Sequence, residues 1–452
     1  MDKKMLINKS REEQIEIIKE SIEENNIKFI VLQLVDIMGT VKSITLPVSQ
    51  LEKILSNEVM FDGSSIDGFA RIEESDMYLY PDLSTYLVLP WKTDEYGIAR
   101  FICDVYTPDE KPFIGCPRGI LRKTLEEAKA MGYEFFVGPE PEFYLFEKDE
   151  KGNPILESSD AAGYFDMAPI DRGEDVREII SLALQEAGFE VEAAHHECGP
   201  GQHEIDFKYS DALHTADNIM TFRYIVRRIS DDLGIFASFM PKPVEDIAGS
   251  GMHINMSLFK DGENIFYDTE AKNMLSDDAV NFIGGLIEHA KGYTAITNPL
   301  INSYKRLVPG HEAPVYIAWS HKNRSPLVRV PAKRGSSTRV ELRSPDPACN
   351  PYLALSVVLA AGLDGMKKKT EPPKSVRGNI YEMNLEEREE RQIESLPKTL
   401  YEAVNYFKEN ELMREVLGEH VSEKFITAKL GEWDRFRKAV HPWEIEEYLR
   451  AF

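Results

Sequence analysis

The sequence predicts an α+β protein of two units, a small N-terminal one that mixes helix and strand and a larger one built on a curved sheet with one polar face. Three observations predict it. At 452 residues the chain exceeds the usual size of one domain. A turn-rich stretch, Thr107-Pro108-Asp109-Glu110-Lys111-Pro112, divides it, giving units of 1–112 and 113–452. Beyond that boundary four stretches alternate polar and apolar residues with the two-residue period of a strand.

In chain order, Ile15, Ile18 and Ile22 recur at helical spacing among charges and predict a helix over Arg11 to Glu24. Lys28 to Asp36 and Val41 to Val48 flank Met38-Gly39 and predict a hairpin. A helix over Leu51 to Val59 and strands over Tyr86 to Trp91 and Ile98 to Val105 complete the first unit. Pro117 and Gly132 suit the start and end of a helix. Strand Tyr133 to Phe146, helix Glu174 to Ala187, strand Phe189 to Ala194, helix Asp211 to Leu233 and strand Ala237 to Met240 follow. Asn350-Pro351 opens the most apolar helix, and the remainder is charged and mainly helical.

Composition excludes several classes of function. With 53 basic against 77 acidic residues the net charge is -24, which disfavours nucleic acid or an anionic membrane as partner. The apolar run Tyr352 to Leu363 is too short to span a bilayer, and Met1 to Glu24 lacks the apolar core of a signal peptide. The four cysteines are scattered, with no C-x-x-C pair. A soluble, cytoplasmic protein in a reducing compartment is expected.

The chemistry centres on Gly138-Pro139-Glu140-Pro141-Glu142-Phe143. On a strand Glu140 and Glu142 share a face, while Phe143 and Leu145 turn to the other. Two carboxylates about 4 Å apart repel by roughly 4 kcal/mol at an effective dielectric near 20, so a half-buried pair invites a cation. An exposed edge strand with its acids in water is the alternative for any single pair. The same device recurs, however, at His195-His196-Glu197, at Glu204-Ile205-Asp206, at His253, Asn255 and Ser257, and at Arg339, Glu341 and Arg343. Hard oxygens with one imidazole suit Mg²⁺ or Mn²⁺, and five glutamates exceed the needs of one ion, so two or more are expected. Arg324, Arg329, Arg334, Arg339 and Arg343, interleaved with Gly-Ser turns, suit a polyphosphate, although no G-x-x-x-x-G-K-[ST] loop is present. Two loops add a polar tip, Phe61 to Phe69, and a lid hinged by proline and glycine, Asn302 to Pro314.

With these residues in place the chain closely resembles type I glutamine synthetase. The resemblance runs from about Lys28 to the C-terminus through F-D-G-S-S-I at Phe61, G-P-E-P-E-F at Gly138, H-H-E at His195 with G-Q-H-E-I at Gly201, F-M-P-K-P at Phe239, G-S-G-M-H at Gly249, N-S-Y-K-R-L-V-P-G-x-E-A-P at Asn302 and N-R-S at Asn323. It implies a β-grasp N-terminal domain, a catalytic domain with an antiparallel half-barrel sheet, and a dodecamer of two hexameric rings. It also implies that glutamate, ATP and ammonium react through γ-glutamyl phosphate.

By motif, Glu142, Glu197 and Glu204 would hold the metal nearer glutamate, and Glu140, His253 and Glu341 the one nearer the ATP phosphates. Glu192, Asn255 and Ser257 would bind nucleotide, Arg329 and Arg339 the transferring phosphate, and Arg324 both substrates. Arg306, Arg343 and Gly249 would hold glutamate. Asp62, with Ser65, would bind ammonium in the neighbouring subunit's site and take its proton, and Glu312 would shield the acyl phosphate.

Arg71 resembles the residue through which the shorter, feedback-inhibited subtype senses glutamine. Tyr381 falls where the longer subtype is adenylylated, in different surroundings that argue against modification. A docking nitrogen-regulatory protein is a further possible partner. The sequence departs from the family at Glu245-Asp246-Ile247-Ala248, where Ala248 replaces an asparagine, which implies weaker glutamate binding. A ligase for a larger amine, a non-catalytic glutamine or ATP sensor and a phosphotransferase to a guanidino compound are the competing readings.

Overall fold

The computed structural model describes residues 6–7, 9–66, 68, 75–91, 95–310, 313–321, 323 and 325–452. Arg71, Glu312 and Arg324 lie outside the described residues. Helix α1 (Arg11–Glu24) opens on a capping box, with Ser10 accepting from the Glu13 amide while the Glu13 side chain accepts from the Ser10 amide. The first sheet contains β1 (Ile27–Val35), β2 (Val41–Pro47), β3 (Val59–Asp62), β4 (Asp76–Val88) and β5 (Gly97–Tyr106), in the order β2-β1-β5-β4-β3. Only β1 and β5 run parallel.

Two expectations are corrected here. The helix expected over Leu51 to Val59 ends early: α2 is Leu51–Leu55, and Val59 begins β3. The strand expected over Tyr86 to Trp91 is instead the end of a 13-residue β4 whose Met77, Leu79, Pro81 and Leu83 face the core. Pro81 lacks the amide of a central strand, but it lies past the end of β3, where β5 is the sheet partner of β4.

The second sheet is curved and has ten strands. Its centre is β6 (Glu134–Glu147), flanked through β8 (Gln202–Phe207) by β7 (Val191–His196). Short β9 (Ser210–Asp211) and β10 (Ile235–Ser238) also pair with β6. On the other side come β11 (Met252–Lys260), with β12 (Glu263–Asn264) folded back on it. The strands β14 (Trp319–Ser320), β15 (Val328–Arg329) and β16 (Val340–Leu342) complete that edge, while β13 (Tyr316–Ile317) lies outside this sheet. The strand expected over Ala237 to Met240 therefore begins and ends two residues earlier, as β10.

Helices α3 (Pro117–Ala130), α4 (Glu174–Glu186) and α5 (Ala212–Asp232) precede a pair absent from the sequence reading, α6 (Asp277–Glu288) and α7 (Ala290–Thr297). After the four-residue α8 (Ser303–Arg306), α9 (Pro351–Lys368) is almost wholly buried and is the floor against which α3, α5 and α6 pack. Among the described residues no helix is long and apolar enough to cross a membrane.

The two sheets are tied together by charge. Arg118 on α3 reaches Asp82 of β4 at 2.7 Å, Asp104 of β5 at 3.0 Å and Asp217 of α5 at 2.9 Å. Tyr352 of α9 donates to the same Asp217 at 2.7 Å. A second tie is Asn350, whose side chain caps α9 and donates to the Asp36 carbonyl in the β1–β2 turn. Gly39 in that turn has φ +84°, and a Cβ there would stand 3.2 Å from the Asn350 backbone. Arg118→Met would remove the guanidinium from buried Asp217 and leave Asp82 and Asp104 with Arg122 alone, and a loss of about 3–5 kcal/mol in unfolding free energy is expected. Denaturant unfolding measures it, and an unchanged transition would show that the network contributes nothing.

Candidate functional site

The pairing of strands assembles the site. On β6, Glu140 lies opposite His253 of β11, and Glu142 lies opposite Glu204 of β8. One strand further out, His195 of β7 lies opposite Glu204, Glu341 of β16 opposite Asn255, and Arg329 of β15 opposite Glu341. Residues directly opposite in a ladder project from the same face, so these registers gather all of them on one wall. The other face carries Phe143, Ile205, Met252 and Ile254, which are buried in the core.

His203 also turns away from the wall. Its Nδ1 accepts from Arg177 at 2.9 Å, Arg177 pairs with Asp171 at 2.8 Å, and burial keeps this imidazole neutral.

Two groups on the wall could hold cations. Glu140, His253 and Glu341 offer ligand atoms that lie within 4.8 Å of one another, as do His195, Glu197 and Glu204. Glu140 Oε2 stands 3.1 Å from His253 Nδ1, and its Oε1 accepts from Asn255 at 2.8 Å. Glu341 receives Arg329 at 2.8 Å and Arg343 at 2.5 Å. His195 Nε2 is 3.2 Å from Glu204.

Glu142, which the sequence reading groups with Glu197 and Glu204, faces Glu204 across the ladder and lines the same cavity. Its Oε2 accepts from Gln202 at 2.9 Å and from the Gly251 amide at 2.7 Å. His195, to which the sequence reading gave no role, groups with Glu197 and Glu204.

Protonation reflects the crowding. Burial, then Glu142, Glu140 and Glu197, push the Glu204 carboxyl well above the usual range. Burial, then Glu204 and Glu140, push Asp206 up to about 9. Burial also opposes ionisation of Glu140, but the His253 hydrogen bond and charge and the Asn255 amide outweigh it and hold this carboxyl down to about 2. Carboxylates that raise one another's pKa, beside a single imidazole in each group, fit hard divalent cations.

Two cavities open on the wall. The first, about 300 Å³, is bounded by Gly138, Glu192, Asn255, Ser257 and Arg339, with Arg339 Nε donating to Asn255 at 2.9 Å. Phe136, Tyr209 and Lys333 also line it and were not singled out from sequence. The second, about 320 Å³, contains Glu142, Glu197, Gly249, Arg306, Arg329 and Arg343. Arg306 is buried, donates to the Ser344 carbonyl at 2.7 Å, and lies so close to two glycines that a Cβ on Gly251 would meet its Nη2 at 2.5 Å. The loop before Gly249 is held by Asn302, which bonds both the amide and the carbonyl of Lys242, and by Tyr144, which donates to the Ala248 carbonyl at 2.5 Å.

The remaining sequence-predicted residues stand apart. Asp62 is exposed and accepts from the Ser64 amide at 2.9 Å, the Ser64 hydroxyl at 2.6 Å and the Ser65 hydroxyl at 2.9 Å, which keep its carboxyl below the usual range. Neither Asp62 nor Ser65 lines either cavity. Arg71, Glu312 and Arg324 fall outside the described residues.

Comparison with known proteins gives a consistent result. Residues 26–108 match the family model "Glutamine synthetase, beta-Grasp domain", and residues 114–448 match "Glutamine synthetase, catalytic domain". A glutamine synthetase of Clostridium saccharobutylicum is 57% identical over 431 residues, covering 95% of this chain and 97% of that protein. One from Staphylococcus aureus is 54% identical over 438 residues, covering 97% and 98%. Among solved structures, "GmaS/ADP complex-Conformation 1" aligns with a TM-score of 0.87 at 31% identity, over 95% of this chain and 99% of that one. The cryo-EM structure of Plasmodium falciparum glutamine synthetase aligns with a TM-score of 0.85 at 27% identity, over 97% and 99%.

The raised carboxyls predict how pH and metal act together. Glu204 and Asp206 keep protons in the folded chain at pH values where they would be ionised if unfolded, so the folded state binds more protons. Their stabilising contribution is complete below the ordinary carboxylate range, about 4, and is lost as pH rises towards the folded value of Asp206, about 9. The melting midpoint of metal-free protein should fall across that window, and Mg²⁺ or Mn²⁺ should reverse the fall while releasing protons. Calorimetry in two buffers of different ionisation enthalpy measures the release. A flat pH profile with no release would refute this account of the wall.

Proposed function

The chain belongs to the glutamine synthetase family, and we propose that it joins ammonia to the γ-carboxylate of L-glutamate at the expense of ATP, giving L-glutamine, ADP and phosphate. The observation that carries this reading is the pair of adjoining cavities, one able to take a nucleotide and the other lined by acids and three guanidinium groups.

The first step transfers the terminal phosphoryl group to the γ-carboxylate, and ammonia then displaces phosphate from the acyl carbon. Arg306 and Arg343 hold the carboxylates of glutamate beside the Gly249 backbone, with the absence of a side chain at Gly251 admitting the Arg306 guanidinium and that at Gly249 its aliphatic stem. Glu192, Asn255 and Ser257 hold the nucleotide. Arg329 and Arg339 neutralise the moving phosphoryl group. Divalent cations, two or more per site, would be held by Glu140, His253 and Glu341 on the nucleotide side and by Glu142, Glu197 and Glu204 nearer glutamate, and would supply charge neutralisation on the phosphates. His195 braces Glu204.

Ammonium must lose a proton before it attacks, and Asp62, with Ser65, both attracts the cation and accepts that proton. The exposure of Asp62 and its distance from the cavities of its own chain support a role in the site of a neighbouring subunit, within a dodecamer of two hexameric rings. Arg324 contacts both substrates, and Glu312 shields the acyl phosphate from water. The division at 1–112 and 113–452, a cytoplasmic location and the shorter feedback-inhibited subtype, with Arg71 sensing glutamine, belong to the same reading. Tyr381 stays unmodified, in keeping with its hydroxyl donating to the Ala313 carbonyl at 2.5 Å.

Purified protein with ATP and Mg²⁺ should release phosphate only when glutamate and ammonium are both present, with equimolar glutamine detected by mass spectrometry. Turnover confined to a larger amine would overturn the choice of ammonia, and binding without turnover would overturn catalysis. Ala248 lines the glutamate-side cavity. Ala248→Asn, which restores an amide there, should lower the glutamate KM several-fold, on the order of one hydrogen bond of about 1 kcal/mol. An unchanged KM would remove this residue from the account of glutamate affinity.

A further inference from the structure

We propose that Asp206 is a further cation-holding carboxylate of the phosphoryl-transfer site, set on the seam between the nucleotide and glutamate cavities. Among the described residues, Glu140 and Asp206 alone line both cavities. A phosphoryl group passing from nucleotide to glutamate must cross that seam.

Asp206 lies two residues beyond Glu204 on β8 and so projects from the same face. Its partner across the ladder is Ala193, whose methyl group leaves the carboxyl uncrowded. Each glutamate of the two cation groups already has a donor or ion-pair partner. Glu140 has Asn255, Glu204 has His195, Glu341 has Arg329 and Arg343, and Glu197 accepts from the Cys198 amide. Asp206 differs: its Oδ1 is sealed from solvent and has no hydrogen-bond partner among the described residues. An ionised carboxylate oxygen buried without a donor is costly, and a divalent cation at the seam removes that cost. Mg²⁺ keeps several waters, so the carboxylate serves whether it touches the ion or a water bound to it.

The inference rests on the cation-dependent reaction proposed above, and its test is made without glutamate or ammonium so that the two can fail separately. Mn²⁺ is titrated into the full-length protein with ADP present, and free Mn²⁺ is followed by electron paramagnetic resonance. Asp206→Asn should weaken Mn²⁺ binding about 10–100-fold at one site, as loss of a supporting carboxylate does elsewhere, and Asp206→Glu should recover most of it. The metal-free melting midpoint of Asp206→Asn should equal or exceed that of the parent, because a neutral amide costs less to bury there than a carboxyl without a donor, while its rise on adding Mn²⁺ should shrink. Parent-like Mn²⁺ affinity and stoichiometry in Asp206→Asn would overturn the proposal, and so would a lowered metal-free melt with unchanged Mn²⁺ binding, which would make the residue structural. A parent protein that binds Mn²⁺ with ADP yet makes no glutamine would count against the ligase reading alone.

Discussion

Repulsion among carboxylates on one face of a sheet is the constraint around which the rest of this protein is arranged. Glu140, Glu142, Glu197, Glu204, Asp206 and Glu341 share a wall, and two ionised carboxylates about 4 Å apart repel by roughly 4 kcal/mol at an effective dielectric near 20. The chain tolerates this by placing compensating groups between the acids. Arg329 and Arg343 both turn onto Glu341, His253 stands against Glu140 and His195 against Glu204, and protons stay on Glu204 and Asp206. These are also the groups that a phosphate and divalent cations would engage, so the charges that keep the wall in balance suit such ligands.

Such a wall needs rigid backing. The opposite face of the same strands supplies it: Phe143 packs among Phe222 and Phe239, and Ile254 and Leu342 are fully buried. Behind them α9 presents an almost wholly apolar surface to α3, α5 and α6. The N-terminal sheet is fixed to this base by the Arg118 network and by Asn350. The loop bearing Asp62 therefore departs from a held platform even though it lies away from its own cavities.

Much of the wall was legible because strands impose a period of two. Alternation alone placed Glu140 with Glu142, Glu204 with Asp206, His253 with Asn255 and Ser257, and Arg339 with Glu341 and Arg343. It could not show which strand lies beside which, so His195 went unassigned although it stands opposite Glu204, and Glu142 was grouped with Glu197 without its bonds to Gln202 and Gly251. Most of β4 went unread: only its end falls in the strand expected over Tyr86 to Trp91, and the Pro81 within it is tolerated because β3 ends before it. Helices α6 and α7 went unread, and Tyr209 and Lys333 carry no local signal of function; they line the first cavity because distant segments converge there.

The sequence by itself determined the α+β class, the acidic faces of the strands, the inventory of metal-capable and phosphate-capable side chains and the family resemblance, since each depends on residue type and short-range spacing. Only the tertiary structure decided the order β16-β11-β6-β8-β7, the registers that set Glu140 against His253 and Glu142 against Glu204, and the seam occupied by Glu140 and Asp206. Register is settled by burying one continuous apolar face against helices far away in the chain, and a one-residue slip would turn every acid on that strand into the core.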